Sequence, residues 1–145
     1  MKKQSLNSHG FTVLELLLFV LVVGIIAASA YSRVEHEKQS TRNKEREGDT
    51  KSIQLAVEGY FARTASYPKT DDLSNPEWVS TNLKGIDNSN LTDPKGAGIN
   101  KPGGYTYTAT KDGKEPCTDA AVTCLKYTLS SDLERKPKIE LSSLN

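Results

Sequence analysis

Polar and apolar positions divide the chain into three stretches. From Phe11 to Ala30 the only residues that are not plainly apolar are Thr12, Glu15, Gly24 and Ser29. At about 1.5 Å of rise per helical residue this run spans about 30 Å, the thickness of a bilayer core, so it is long enough to cross a membrane once. From Glu35 to Lys51 no residue is apolar. Helix formers dominate there, and Glu47 and Lys51 have the spacing of a favourable i,i+4 pair. Gly48 weakens that helix by about 1 kcal/mol. The pattern predicts a helix that continues out of the membrane with its charges facing water or neighbouring subunits. Ile53, Val57, Tyr60 and Phe61 then recur on one helical face, a stripe that only downstream residues can cover. The helix is predicted to end near Ala65, ahead of Tyr67-Pro68, because a residue preceding proline avoids the helical region.

Residues 67–103 are rich in Pro, Asn, Asp, Gly and Ser and read as a long connection with one short helix. In that helix Asn75 is the N-cap, Pro76 the first helical position and Glu77 an acid in the first turn, with Trp78 as a core anchor. Three strands follow. Tyr105–Thr110 alternates aromatic residues with threonine. Cys124–Ser131 puts Leu125, Tyr127 and Leu129 on one face, and Lys138–Ser143 is a weaker third. The expected fold class is α+β, with a long N-terminal helix and a small three-stranded antiparallel sheet on the apolar face of its C-terminal half.

Composition adds limits. The net charge of +1 provides no global field for nucleic acid, and Lys136 and Lys138 are too few to indicate it. A mean hydropathy of −0.53 hides the split between the apolar run and the polar remainder. Lys2 and Lys3 precede the run and no acid occurs before Glu15, so the N-terminus is expected to stay cytoplasmic and the rest to be exported. In an oxidising compartment Cys117 and Cys124, flanking six residues between the two strongest strands, are expected to form a disulfide. Calcium needs clustered oxygen ligands. Asp112, Asp119 and Asp132 qualify only by residue type, so no metal or other cofactor is expected. Nucleophile-elbow, phosphate-loop and zinc motifs do not occur. His9 and His36 stand apart in the sequence, and no enzyme activity or small-molecule substrate is expected.

Glu15 remains, because an ionised carboxylate at hydrocarbon depth costs at least a few kcal/mol. Three readings of the N-terminus compete. One is a plain membrane anchor. Another is a secretory signal cut after Ala28-Ser29-Ala30, which would release a binding module. The third is a cut before the apolar run, between Gly10 and Phe11. Gly10, Phe11, Thr12, Val13, Leu14 and Glu15, followed by an apolar helix, resemble the class III leader of type IV pilins and related pseudopilins. More diffusely, "GYFARTASYPKTDDL" and "TDPKGAGINKPGGYTYTA" are similar to the helix end and to the segment before the first strand in small members of that family.

The resemblance implies a leader over 1–10, a transmembrane and filament-core helix over 11–31, a continuing helix over 32–66 and a head over 67–145. It implies cleavage after Gly10 by prepilin peptidase, methylation of the Phe11 amine, and assembly in which Glu15 of one subunit pairs with the Phe11 amine of a neighbour. A buried pair of this kind sets register more than stability. Gly24 matches a position where pilin helices loosen, and its other reading is a small residue that allows close helix packing. Ser32 stands where many family members have proline. The implied partners are further copies of the chain in a helical homopolymer, the peptidase, the assembly platform and, before assembly, membrane lipid. The implied location is the inner membrane and then a surface filament. A pseudopilin of a secretion or competence system is the alternative within the same machinery.

Overall fold

A computed structural model describes residues 11–117 and 122–145. Its elements are a helix α1 (Val13–Thr64), a 3-10 turn (Asp72–Ser74), a short helix α2 (Pro76–Asn82) and strands β1 (Thr106–Thr110), β2 (Lys126–Ser131) and β3 (Ile139–Ser142). The architecture is α+β. Compactness divides the chain into one unit up to Lys38 and another from Gln39 to Asn145. In the first unit α1 runs unbroken through Gly24 and its apolar side chains are exposed. This helix is long and apolar enough to cross a membrane.

The second unit is a sheet laid on the C-terminal part of α1. Strand order is β1-β2-β3, antiparallel throughout, with Tyr107 opposite Leu129 and Leu129 opposite Leu141. Period-two alternation sends Tyr107, Ala109, Tyr127 and Leu129 inward to meet Ile53, Ala56 and Val57 of α1, all buried. Phe61, Tyr67, Tyr127 and Tyr107 form a continuous aromatic chain, with ring centroids 4.3, 4.8 and 5.5 Å apart in turn; the first and last contacts are stacked and Tyr67 meets Tyr127 edge-on. Glu58 accepts the Tyr67 and Tyr127 hydroxyls at 2.8 and 2.9 Å, so the polar ends of these rings are satisfied. α1 stops at Thr64 because Ala65 adopts a left-handed φ of 57°. At the entry to β1, Gly104 has no room for a side chain, since a Cβ there would overlap the Gly98 carbonyl.

Two expectations about side chains are corrected. Val79, not Trp78, is the buried anchor of α2; Trp78 is half-buried and lies against Tyr60 at 5.3 Å. Leu125 precedes β2 and is 46% exposed, so the inward face of that strand is Tyr127, Leu129 and Ser131. Asn75 does cap α2, its Oδ1 accepting from the Glu77 and Trp78 amides at 3.0 and 3.2 Å.

Candidate assembly surface and its polar anchorage

The residues singled out at the N-terminus fall on α1 or just before it. Gly10 lies outside the described residues, as do Lys2, Lys3 and His9. Phe11 precedes the helix and is 82% exposed. Thr12 is the N-cap: its Oγ1 accepts the Glu15 amide at 3.3 Å, and its carbonyl accepts the amides of Glu15 and Leu16 at 3.1 Å. Glu15 is therefore the third residue of the helix, and Thr12-x-x-Glu15 has the spacing of a capping box. An acid in the first turn also meets the positive end of the helix dipole. The Thr12-x-x-Glu15 spacing marks this local role in the sequence itself. Gly24 lies mid-helix, where an added Cβ would meet no atom within 4 Å, so nothing in the described chain requires a glycine there.

The polar stretch departs most from expectation. Asn43, Arg46, Asp49 and Thr50 are buried, not turned to water. With Ile53 and Val57 they form a single stripe at helical spacing, polar at its N-terminal end and apolar at its C-terminal end. The pattern is invisible to a search for apolar periodicity because its first half is charged.

Geometry explains how these groups are accommodated. Arg46 grips Asp93 with two bonds, Nε to Oδ2 at 2.6 Å and Nη2 to Oδ1 at 3.0 Å, and reaches Glu134 at 3.1 Å. Arg42 grips Glu134 at 2.7 and 2.8 Å. Asn43 clasps the Glu134 backbone, donating to its carbonyl at 3.0 Å and accepting its amide at 2.9 Å. Asp49 accepts from the Tyr105 hydroxyl at 2.7 Å and from Asn90 at 3.0 Å. Paired planar contacts of this kind are the strong form of ion pair.

The electrostatics follow. The Arg42 guanidinium holds the Glu134 carboxyl down to about 2, with Lys95 and Arg46 adding to the effect against burial. Burial pushes the Asp93 carboxyl up, but Arg46 and the Lys95 amide outweigh it, so Asp93 lies below the ordinary carboxylate range. Burial, reinforced by Asp49, raises the Tyr105 hydroxyl.

Cys117 and Cys124 are bonded to each other, with Cα atoms 5.8 Å apart. The bridge ties several segments together: Cys117 donates its amide to Ala109, Cys124 accepts the Tyr67 amide, and its own amide donates to Ser66 Oγ. Of the carboxylates weighed for calcium, Asp112 caps its own turn by accepting the Lys114 and Glu115 amides. Asp132 stands exposed, and Asp119 lies outside the described residues. Among the described residues no three His, Cys, Asp or Glu side chains converge on a metal site.

Comparison with known proteins adds no relative: no family model, curated protein or solved structure matches the chain.

Proposed function

We propose that the chain is a structural subunit of a type IV pilus. It is made as a single-pass inner-membrane precursor, cut by prepilin peptidase between Gly10 and Phe11, methylated on the new Phe11 amine and stacked into a surface filament through its apolar helix. One observation carries the reading: directly after the Gly10-Phe11 junction the helix begins at a Thr12 cap, holds an acid in its first turn and then exposes apolar side chains all round. A helix apolar on every side needs lipid or other copies of itself to cover it. Lipid serves before assembly and neighbouring helices afterwards. Among those helices the Phe11 amine and the Glu15 carboxylate are each costly alone and complementary together. The function is assembly, with no catalytic step.

Intact mass and N-terminal sequence of the protein from cells test this. The expected chain starts at Phe11 and is one methyl group heavier than its sequence. A chain starting at Tyr31 would make it a secreted binding module, and one starting at Met1 a plain membrane anchor.

A further inference from the structure

β3 forms one edge of the sheet, and among the described residues no strand pairs with its outer side. The Ser143 amide donates to the Tyr127 carbonyl at 3.2 Å. In an antiparallel ladder, then, the odd positions 139, 141 and 143 turn their backbone groups toward β2, and the even positions 138, 140 and 142 turn theirs outward. The other edge is occupied: Tyr107 donates to Asn100 Oδ1 and Ala109 to Thr70 Oγ1. Among the described residues the β3 edge has Gln54 on the Ser142 carbonyl. Beside it Glu47, Thr50, Lys51, Ile139 and Leu141 line a groove of about 170 Å³ between α1 and the strand.

We propose that this edge pairs with the same edge of a second copy, antiparallel about a two-fold axis at Ile139. Charge selects both partner and register. Lys138 and Glu140 point to the solvent face two residues apart, 2.6 Å from each other, with 58% and 55% of their side chains exposed. Centred on Ile139, the pairing sets Lys138 of each copy opposite Glu140 of the other and closes a ring of four alternating charges. Centring on Glu140 would set acid against acid, and centring on Leu141 would set Glu140 against a serine. Opposite charges directly across strands are favourable and like charges are not. Pro137, which has no amide hydrogen, falls at an inward position and removes no bond from the new ladder. Ile139 of each copy meets its counterpart beside the groove. A two-fold axis normal to the sheet reverses in-plane directions, so residues 39–64 of the two α1 helices run oppositely. The contact therefore joins copies whose residues 39–64 are antiparallel. It goes beyond the filament reading and stands without it.

The test uses the full chain in detergent micelles at low ionic strength. The natural cysteines are bonded to each other, so one introduced cysteine is the reactive thiol. Across a non-hydrogen-bonded pair the Cα atoms are about 4.5 Å apart, within disulfide reach. Under mild oxidation Ile139→Cys is expected to couple copy to copy. Ser142→Cys, which faces position 136 of the other copy and lies roughly 20 Å from its own counterpart, is not. Lys138→Glu or Glu140→Lys alone should slow Ile139→Cys coupling roughly tenfold, and the double reversal should restore it. Because those two positions are exposed, sedimentation gives a second readout without any cysteine: Lys138→Glu copies should associate with Glu140→Lys copies and neither with itself. Equal coupling at 139 and 142, or association indifferent to charge reversal, would overturn the proposal.

Discussion

Glu15 has two physical roles on offer, and one substitution separates them. As the third residue of a capping box it needs a polar side chain, which glutamine also supplies. As the partner of a charged amine it needs a negative charge, which glutamine lacks. Under the proposed pairing, Glu15→Gln and Glu15→Ala both cut the abundance of assembled filament sharply; a capping role alone would leave Glu15→Gln near wild type. Electron microscopy of sheared surface filaments reads the difference. Glu134 offers a pH test. Its carboxyl ordinarily titrates at 4.5 and is held at about 2 in the folded chain. A depressed folded value means that its stabilisation is fully present above about pH 4.5 and is lost as pH falls toward 2. Asp93 is shifted the same way. Denaturant titrations between pH 5 and pH 2 should show stability falling with pH, and Glu134→Gln should be less stable at neutral pH with a shallower slope. Arg46→Ala leaves the buried Asp93 carboxylate without its guanidinium, holding only the Lys95 amide among the bonds described, so a loss of about 3 kcal/mol at neutral pH is expected.

Among the elements, α1 carries most of what the sequence made legible. Its apolar first half, the face of Ile53 and Val57, its end before Tyr67-Pro68 and the Asn75 cap of α2 each follow from one local rule of period, proline or capping chemistry. So do the three strands: Tyr107 and Thr108 alternate in β1, and Tyr127 and Leu129 share the inward face of β2, although Leu125 falls outside that strand. The burial of Asn43, Arg46 and Asp49 was not legible. A charged residue reads as solvated unless its partners are known, and those partners, Asp93 and Glu134, lie 47 and 88 residues from Arg46. Glu134 sits in an otherwise polar turn, with nothing local to mark it. The Thr12 cap, by contrast, could have been found from Thr12-x-x-Glu15 alone. Gly48 tests how helix propensity acts on this element. It is exposed, and a Cβ there meets nothing within 4 Å. Gly48→Ala should therefore raise the stability of the purified chain by about 0.5–1 kcal/mol in denaturant titration. A loss instead would place a contact at that helix face which the single chain does not contain.

For the whole molecule, the division at Lys38 and Gln39 predicts unfolding in two parts. The part from Gln39 onward has one core, in which the aromatic chain, the Arg46 cluster and the Cys117–Cys124 bridge all tie segments distant in sequence to α1 or the sheet. Among the described residues the earlier part has no buried core, and its order is expected to come from whatever covers the apolar helix. In a micelle that cover is expected to survive conditions that melt the head. Replacing both cysteines by serine should then act on one part only. Closing this short loop is worth roughly 2–3 kcal/mol in the chain-entropy account, and the buried sulfurs would be exchanged for hydroxyls with no assured partner. The expected result is a lower melting midpoint in the near-ultraviolet signal of the stacked tyrosines. The far-ultraviolet helical signal of residues 13–38 should persist beyond that transition, in the variant as in the wild type. Loss of both signals at one temperature would mean that α1 transmits the disorder of the head into the membrane-length segment, and the two units would have to be treated as one cooperative body.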